Sequence, residues 1–339
     1  MSFFSREIHT DHNPRIYFTL TRRHFKVFFK NKIGVFFALL VPMITLIIYI
    51  IFLRQLQTTA IDNNISIIGE DIAAIPGVKT QAHLIADAWM LSGIIAMSCI
   101  SVSLNTCTIM INDRIAGVTK DFVSSPISRR SITTSYFLFN VFATFLINFC
   151  VLLVAFIYLG CVGGFHIAPL HAIALIPILF LSVLSASLIT CFVASFISSY
   201  NVYNSTSVII SSAAGFLIGA YMPISMLPES AQRIPLFFPG TYSAGLLRTF
   251  FIQDYLANFK SFLLKNGITA DRILEVERSL SKTISLNIDF FGHPVTPGYM
   301  VLAILVFVVL FMILDLLFLD WNLRAKILGR KHRIKRHKK

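Results

Sequence analysis

The chain has 339 residues, 56% of them hydrophobic and 13% charged, with a formal net charge of +13. No Asp, Glu, Lys or Arg occurs anywhere in residues 131–228. A soluble domain of that size could not clothe its surface without charge, whereas a charge at the bilayer centre costs roughly 2.5–3.5 kcal/mol, so soluble enzymes and nucleic-acid-binding proteins are excluded and an all-α polytopic membrane protein is expected.

The N-terminal arm, 1–32, holds no signal peptide, because the first apolar run begins at Ile33 and has full membrane length. Residues 15–30 are expected to form an interfacial helix. At about 100° per residue, Arg15, Arg22, Arg23, Lys26 and Lys30 share one arc. Ile16, Tyr17, Phe18, Leu20, Phe25, Val27, Phe28 and Phe29 fill the remainder. His9 and His12 read as solvent-exposed side chains, and no metal site is expected.

Six apolar runs are long enough to span: 33–53, 88–111, 136–159, 168–195, 205–221 and 299–318. Their lengths exclude ordinary strands, and a barrel would need short alternating segments. They define a transmembrane domain over 33–321, with an inner loop at 112–131 and outer loops at 54–87 and 222–298. With six spans, one side carries 20 of the 29 Lys and Arg residues, so both termini are expected in the cytoplasm of a cell-membrane protein. Cys99, Cys107, Cys150, Cys161 and Cys191 lack zinc-type spacing and read as small core residues.

In the second outer loop Pro223, Pro228, Pro235 and Pro239 forbid one long helix, yet the segment stays apolar. A re-entrant outer segment between spans five and six is expected. Short amphipathic helices follow at 254–264 and 269–281, with Ile273, Val276 and Leu280 on one face. The basic tail, 322–339, follows the interfacial Trp321 and is expected on anionic lipid rather than nucleic acid.

Within the spans, Ser207, Ser211, Gly215 and Gly219 recur every four residues, a spacing that lets helix backbones approach. Ser98, Ser101, Asn105 and Thr108 form a polar stripe on the second span. An amide in lipid wants a partner or water, so Ser98, Ser101, Asn105, Thr108, Ser207, Ser211 and Gly215 are candidates for a substrate pathway. Intramolecular packing is the alternative for each. Asp315 sits about one turn inside the end of the sixth span and pairs with a basic residue or reaches the interface.

The inner loop carries the densest pattern. Ile115, Val118 and Phe122 lie on one face of a short helix that Pro126 ends, between Arg114 and Arg129. Such a stripe needs a groove, and this chain offers no soluble domain, so another polypeptide is the expected partner.

Arg114, Gly117, Ser125-Pro126 and Arg129 resemble the inner-loop pattern of the ABC-2 type permeases, the membrane subunits of ATP-binding-cassette exporters. Leu227-Pro228, Pro239, Thr241-Tyr242 and Arg248 resemble that family's segment after the fifth span. The resemblance implies a second permease copy, two cytosolic ATPase subunits, and an ATPase-coupling role for Arg114, Ile115, Gly117, Val118, Phe122, Pro126 and Arg129. Gly117 would permit close approach of the two chains. Pro228, Pro239, Tyr242 and Arg248 would build the re-entrant segment. The chain has no Gly-x-x-x-x-Gly-Lys-Ser/Thr loop, so it is expected to bind no cofactor, with ATP and magnesium on the partner. The outer loops are longer than in polysaccharide-exporting members, which favours a drug, lipid or peptide over polysaccharide or ion export. A signalling or scaffold protein that docks a cytosolic partner is the alternative reading. An integral-membrane enzyme lacks support, since no paired carboxylates or Cys–His pair share one depth.

Overall fold

A computed structural model describes residues 14–125, 127–224, 227–284, 289–290 and 293–315. The described residues are almost all helical. His9, His12, Pro126, Trp321, the tail and the side chain of Arg129 lie outside them.

The helices are α1 (Pro14–Lys30), α2 (Lys32–Ile48), α3 (Arg54–Ile68), α4 (Glu70–Ala73), α5 (Val78–Ile115) and α6 (Val118–Ser124). Then come α7 (Arg129–Val162), α8 (Pro169–Phe196), α9 (Tyr200–Leu217), α10 (Glu229–Gln232), α11 (Pro239–Lys265) and α12 (Ala270–Thr283). The last is α13 (Pro297–Asp315). A two-residue antiparallel pairing, Asp289–Phe290 with His293–Pro294, precedes it. Among the described residues, five helices are long and apolar enough to cross a membrane: Lys32–Ile68, Val78–Ile115, Arg130–Val162, Pro169–Phe196 and Pro297–Asp315. The predicted span at 205–221 corresponds to α9, whose first turns carry Asn201, Asn204, Ser205 and Thr206.

α5 is the central element. It packs against α7, α8, α9, α11 and α2, and its buried residues surround the whole helix. A helix apolar all round must be enclosed by others. α13 is the opposite case, with Tyr299, Leu302, Val306 and Val309 exposed.

Three expectations about the outer loops are corrected. The first apolar run does not end at Leu53: a single π turn, Tyr49–Leu53, leads straight into α3. Nothing between Arg54 and Ile68 breaks a helix, and Ile61 and Ile65 are buried where α3 packs on α12. The helix at 254–264 is not separate but the last third of α11. Pro239 sits at its first turn, where its missing N–H costs nothing, and burial runs on to Leu263. The span starting at Ala88 extends back to Val78. Thus 54–87 and 222–298 hold packed helices. α12 buries Ile273, Val276 and Leu280, as its pattern requires.

Candidate functional site

α6 lies across one end of the bundle. α5 closes at Ile115, and Gly117 then takes φ +82°, a left-handed value that L side chains rarely adopt. No atom of this chain lies within 4 Å of where its Cβ would be, and the left-handed turn alone favours glycine here. Ser128 caps α7 by accepting from the Ser131 N–H at 3.1 Å.

The groove for α6 is partly supplied from within the chain, contrary to expectation. Phe122 packs on the cluster of Leu20, Phe28, Ile132 and Phe139, under the Arg23 guanidinium at 5.2 Å from the ring centre. α1 therefore covers one side of α6. Ile115 is left 54% exposed at the rim. Arg114 does not point outward either. Its Nη1 donates to the carbonyls of Ala194 (3.2 Å), Ser195 (3.4 Å) and Ile197, and so satisfies acceptors that end α8.

A buried cluster that sequence reasoning missed fixes α1 to this end. Asp113 accepts from Arg23 Nη1 at 2.5 Å and Nη2 at 3.0 Å, and from Tyr136 Oη at 2.6 Å. This two-toothed fork is the strongest guanidinium–carboxylate geometry. His24 is fully buried beside it, stacked on Tyr136 at 4.0 Å and 3.2 Å from Ser135 Oγ. The available signal was the spacing of Leu20, His24 and Phe28, the stripe α1 buries.

Burial, and then the charge of Arg23, push the His24 imidazole down from 6.5 to about 4, against the pull of Asp113. The sign follows. Below pH 6.5 the unfolded chain takes up a proton that the folded chain refuses, so stability is lost as pH falls from 6.5 toward 4, by on the order of 3 kcal/mol. Unfolding curves at pH 7 and pH 4.5 should differ less for His24→Phe than for the wild type; equal differences would remove His24 as the cause.

Asp87 anchors the opposite end of α5. It is fully buried and accepts from Tyr49 Oη at 2.7 Å, Arg54 Nε at 2.9 Å and Arg54 Nη2 at 3.0 Å. Tyr49 and Arg54 are five residues apart, and the π turn between them puts both on one face.

The polar stripe on α5 divides. Ser98 is buried and donates to Asn148 Oδ1 across the α5–α7 seam. Ser101, Asn105 and Thr108 are half-buried, and among the described residues the Asn105 amide has no hydrogen bond. The seam holds more polar groups than expected. Ser103 donates to Asn140 Oδ1 at 2.7 Å and meets Thr190 at 2.5 Å; Asn140 Nδ2 donates to Thr106 Oγ1 at 2.6 Å; Thr106 meets Thr144 at 3.2 Å. Asn140, Thr144 and Asn148, spaced by four on α7, were the legible signal.

On α9, Ser207 and Ser211 are half-buried. Gly215 lies under Tyr221, whose ring would be 2.2 Å from a Cβ there. α9 ends in paired bonds, Ala220 N to Gly215 O at 2.9 Å and Gly219 N to Phe216 O at 3.0 Å, with Gly219 at φ +69°. The following segment is held by the residues singled out in the sequence. Pro228 caps α10 and Pro239 opens α11. Thr241 Oγ1 donates to Pro235 O at 2.7 Å, and Tyr242 Oη to Leu236 O at 2.7 Å. Arg248 is 1% exposed; its Nη2 donates to Gly219 O at 2.6 Å and Ile218 O at 3.2 Å, and it stacks over Trp89 at 4.7 Å. Among the described residues its Nε and Nη1 have no partner. No group of three or more metal-ligating side chains occurs among the described residues.

A family model, ABC-2 type transporter, matches residues 15–252. No curated protein and no solved structure matches.

Proposed function

Because the chain belongs to the ABC-2 type transporter family, and is thus the membrane component of an ABC transporter, we propose that it is an exporter permease moving an amphipathic drug, lipid or peptide outward. The family implies an ABC ATPase subunit. In this reading two ATPases, carrying ATP and magnesium, bind beneath two permease copies in the cell membrane. The same reading has six spans, with α9 as the fifth, and both termini in the cytoplasm. ATP-driven closure would rock the two permeases between inward- and outward-facing states.

The observation that carries this reading is the platform of α1 and α6 at one end of the bundle, braced by Asp113–Arg23 and Phe122 and edged by exposed Ile115 and Lys120. A helix braced so firmly can pass a push from below into α5. The half-buried Ser101, Asn105 and Thr108 are the better pathway candidates, since Ser98 is spent on Asn148.

The test is at Ile115. Burying an exposed apolar side chain is worth about 1.5–3 kcal/mol, so Ile115→Asp should weaken ATPase recovery by about tenfold or more. Phe122→Ala should instead loosen α6 and uncouple hydrolysis from transport. Wild-type recovery with Ile115→Asp would reject this platform as the docking face.

A further inference from the structure

We propose that Cys107 and Cys191 form an oxidation site, closing to a disulfide between α5 and α8 when a membrane-soluble hydroperoxide reaches it. The two sulfurs are 3.5 Å apart, in contact across the helix interface. All five cysteines are free thiols, and these two are the ones in mutual contact among the described residues. Their surroundings hold them in place. Asn140 Nδ2 donates to Cys107 Sγ at 3.0 Å, and Thr190 Oγ1 lies 3.8 Å from it. Ile111, Ala194 and Tyr203 close the remaining sides.

The two thiols differ in access, which orders the chemistry. Cys107 is buried, whereas Cys191 is partly exposed on a helix long and apolar enough to cross a membrane. Cys191 therefore meets the oxidant first. Its sulfur attacks the outer peroxide oxygen, the O–O bond breaks, and the departing alkoxide takes the thiol proton and leaves as alcohol. The Cys107 sulfur then attacks the resulting sulfenic acid. The S–S bond forms, the S–O bond breaks, and the hydroxyl leaves with the Cys107 proton as water. Two thiols are oxidised by two electrons and one hydroperoxide is reduced to alcohol and water.

The bond would fall beside the junction that Arg114 already makes with the end of α8. Oxidation would turn a hydrogen-bonded contact between α5 and α8, about two turns before the end of α5, into a covalent one.

The test uses the full chain in lipid nanodiscs, with a protease site inserted in the 163–168 connection between α7 and α8. After cleavage Cys191 is the single cysteine of the C-terminal piece, so any link between the pieces passes through it. Cumene hydroperoxide is added, free thiols are blocked, and the nicked chain is run without reductant. The pieces should stay joined in the wild type and in Cys99→Ser and Cys161→Ser, separate on reduction, and separate in Cys107→Ser. Peptide mass spectrometry of the uncut, oxidised chain should find residues 107 and 191 joined with the loss of two hydrogens. Pieces that separate in the wild type, or stay joined in Cys107→Ser, would overturn the proposal, as would a Cys191 found only as sulfinic or sulfonic acid. None of these outcomes depends on export.

Discussion

Asp113→Ala should be among the most damaging single substitutions in the chain. It removes the carboxylate that accepts from both Arg23 nitrogens and from Tyr136, and leaves the guanidinium and hydroxyl facing an apolar wall. Breaking a buried pair from one side costs about 3–5 kcal/mol. The Arg23 side chain is 32% exposed and can turn partly to water, which puts the loss at about 2–3 kcal/mol. The fold should survive, since α5 keeps its packing on α7, α8 and α11. What should go is the attachment of α1. A cysteine pair placed across α1 and α7 should cross-link more slowly, and hydrolysis by the ATPase should lose its dependence on the permease. Asp113→Asn keeps one acceptor oxygen, which can serve Tyr136 and one Arg23 nitrogen, and should lose less. Equal unfolding temperatures and equal coupling for wild type and Asp113→Ala would mean that α1 is held by its apolar stripe alone.

Arg248→Ala should act at the other end, through a different mechanism. No carboxylate partners Arg248 among the described residues, so no countercharge is stranded. Instead, the Ile218 and Gly219 carbonyls at the end of α9 lose their donor, and Trp89 loses the group stacked on it. A buried acceptor left unmade costs about 1–3 kcal/mol and a desolvated cation–π contact about 2 kcal/mol, so a loss on the order of 3 kcal/mol is expected. Thermal unfolding in detergent measures it. Limited proteolysis should show faster cutting of the connection after α9, because the donor that pins it is gone. Arg248→Lys restores charge but not the flat group that stacks on Trp89 while reaching two carbonyls, and should recover only part. Unchanged unfolding and proteolysis would make Arg248 a passenger in the fold.

The sequence was most informative where one chain segment sufficed. The uncharged run, the prolines after α9, and the buried stripe of α12 needed no knowledge of neighbours. Charges misled at the span ends. Arg54 and Asp87 read as loop residues because a charge ordinarily marks departure from lipid, but the two neutralise one another across 33 positions, and both helices continue. Periodicity shows which face of a helix is apolar, not what covers it. That is why Phe122 could be recognised as needing a groove while α1 went unrecognised as supplying it. For the same reason Ser98 was grouped with Asn105: the division depends on Asn148, which belongs to α7.

The two anchors of α5 limit how this protein can move. Asp87 and Asp113 are separated by about 39 Å along a continuous helix, at 1.5 Å per residue. A rod of that length does not shorten appreciably. Tilting it by about 5° around its middle carries each end sideways by about 1.7 Å, and hydrogen bonds of 2.5–3.0 Å do not survive such a slip. Either α1 and the π turn of the first span travel with α5 as one rigid piece, or both forks open in the same stroke. In the first case a displacement imposed on α1 reaches α3 and α12, on the far side of the bundle, without any intervening side chain having to change its rotamer.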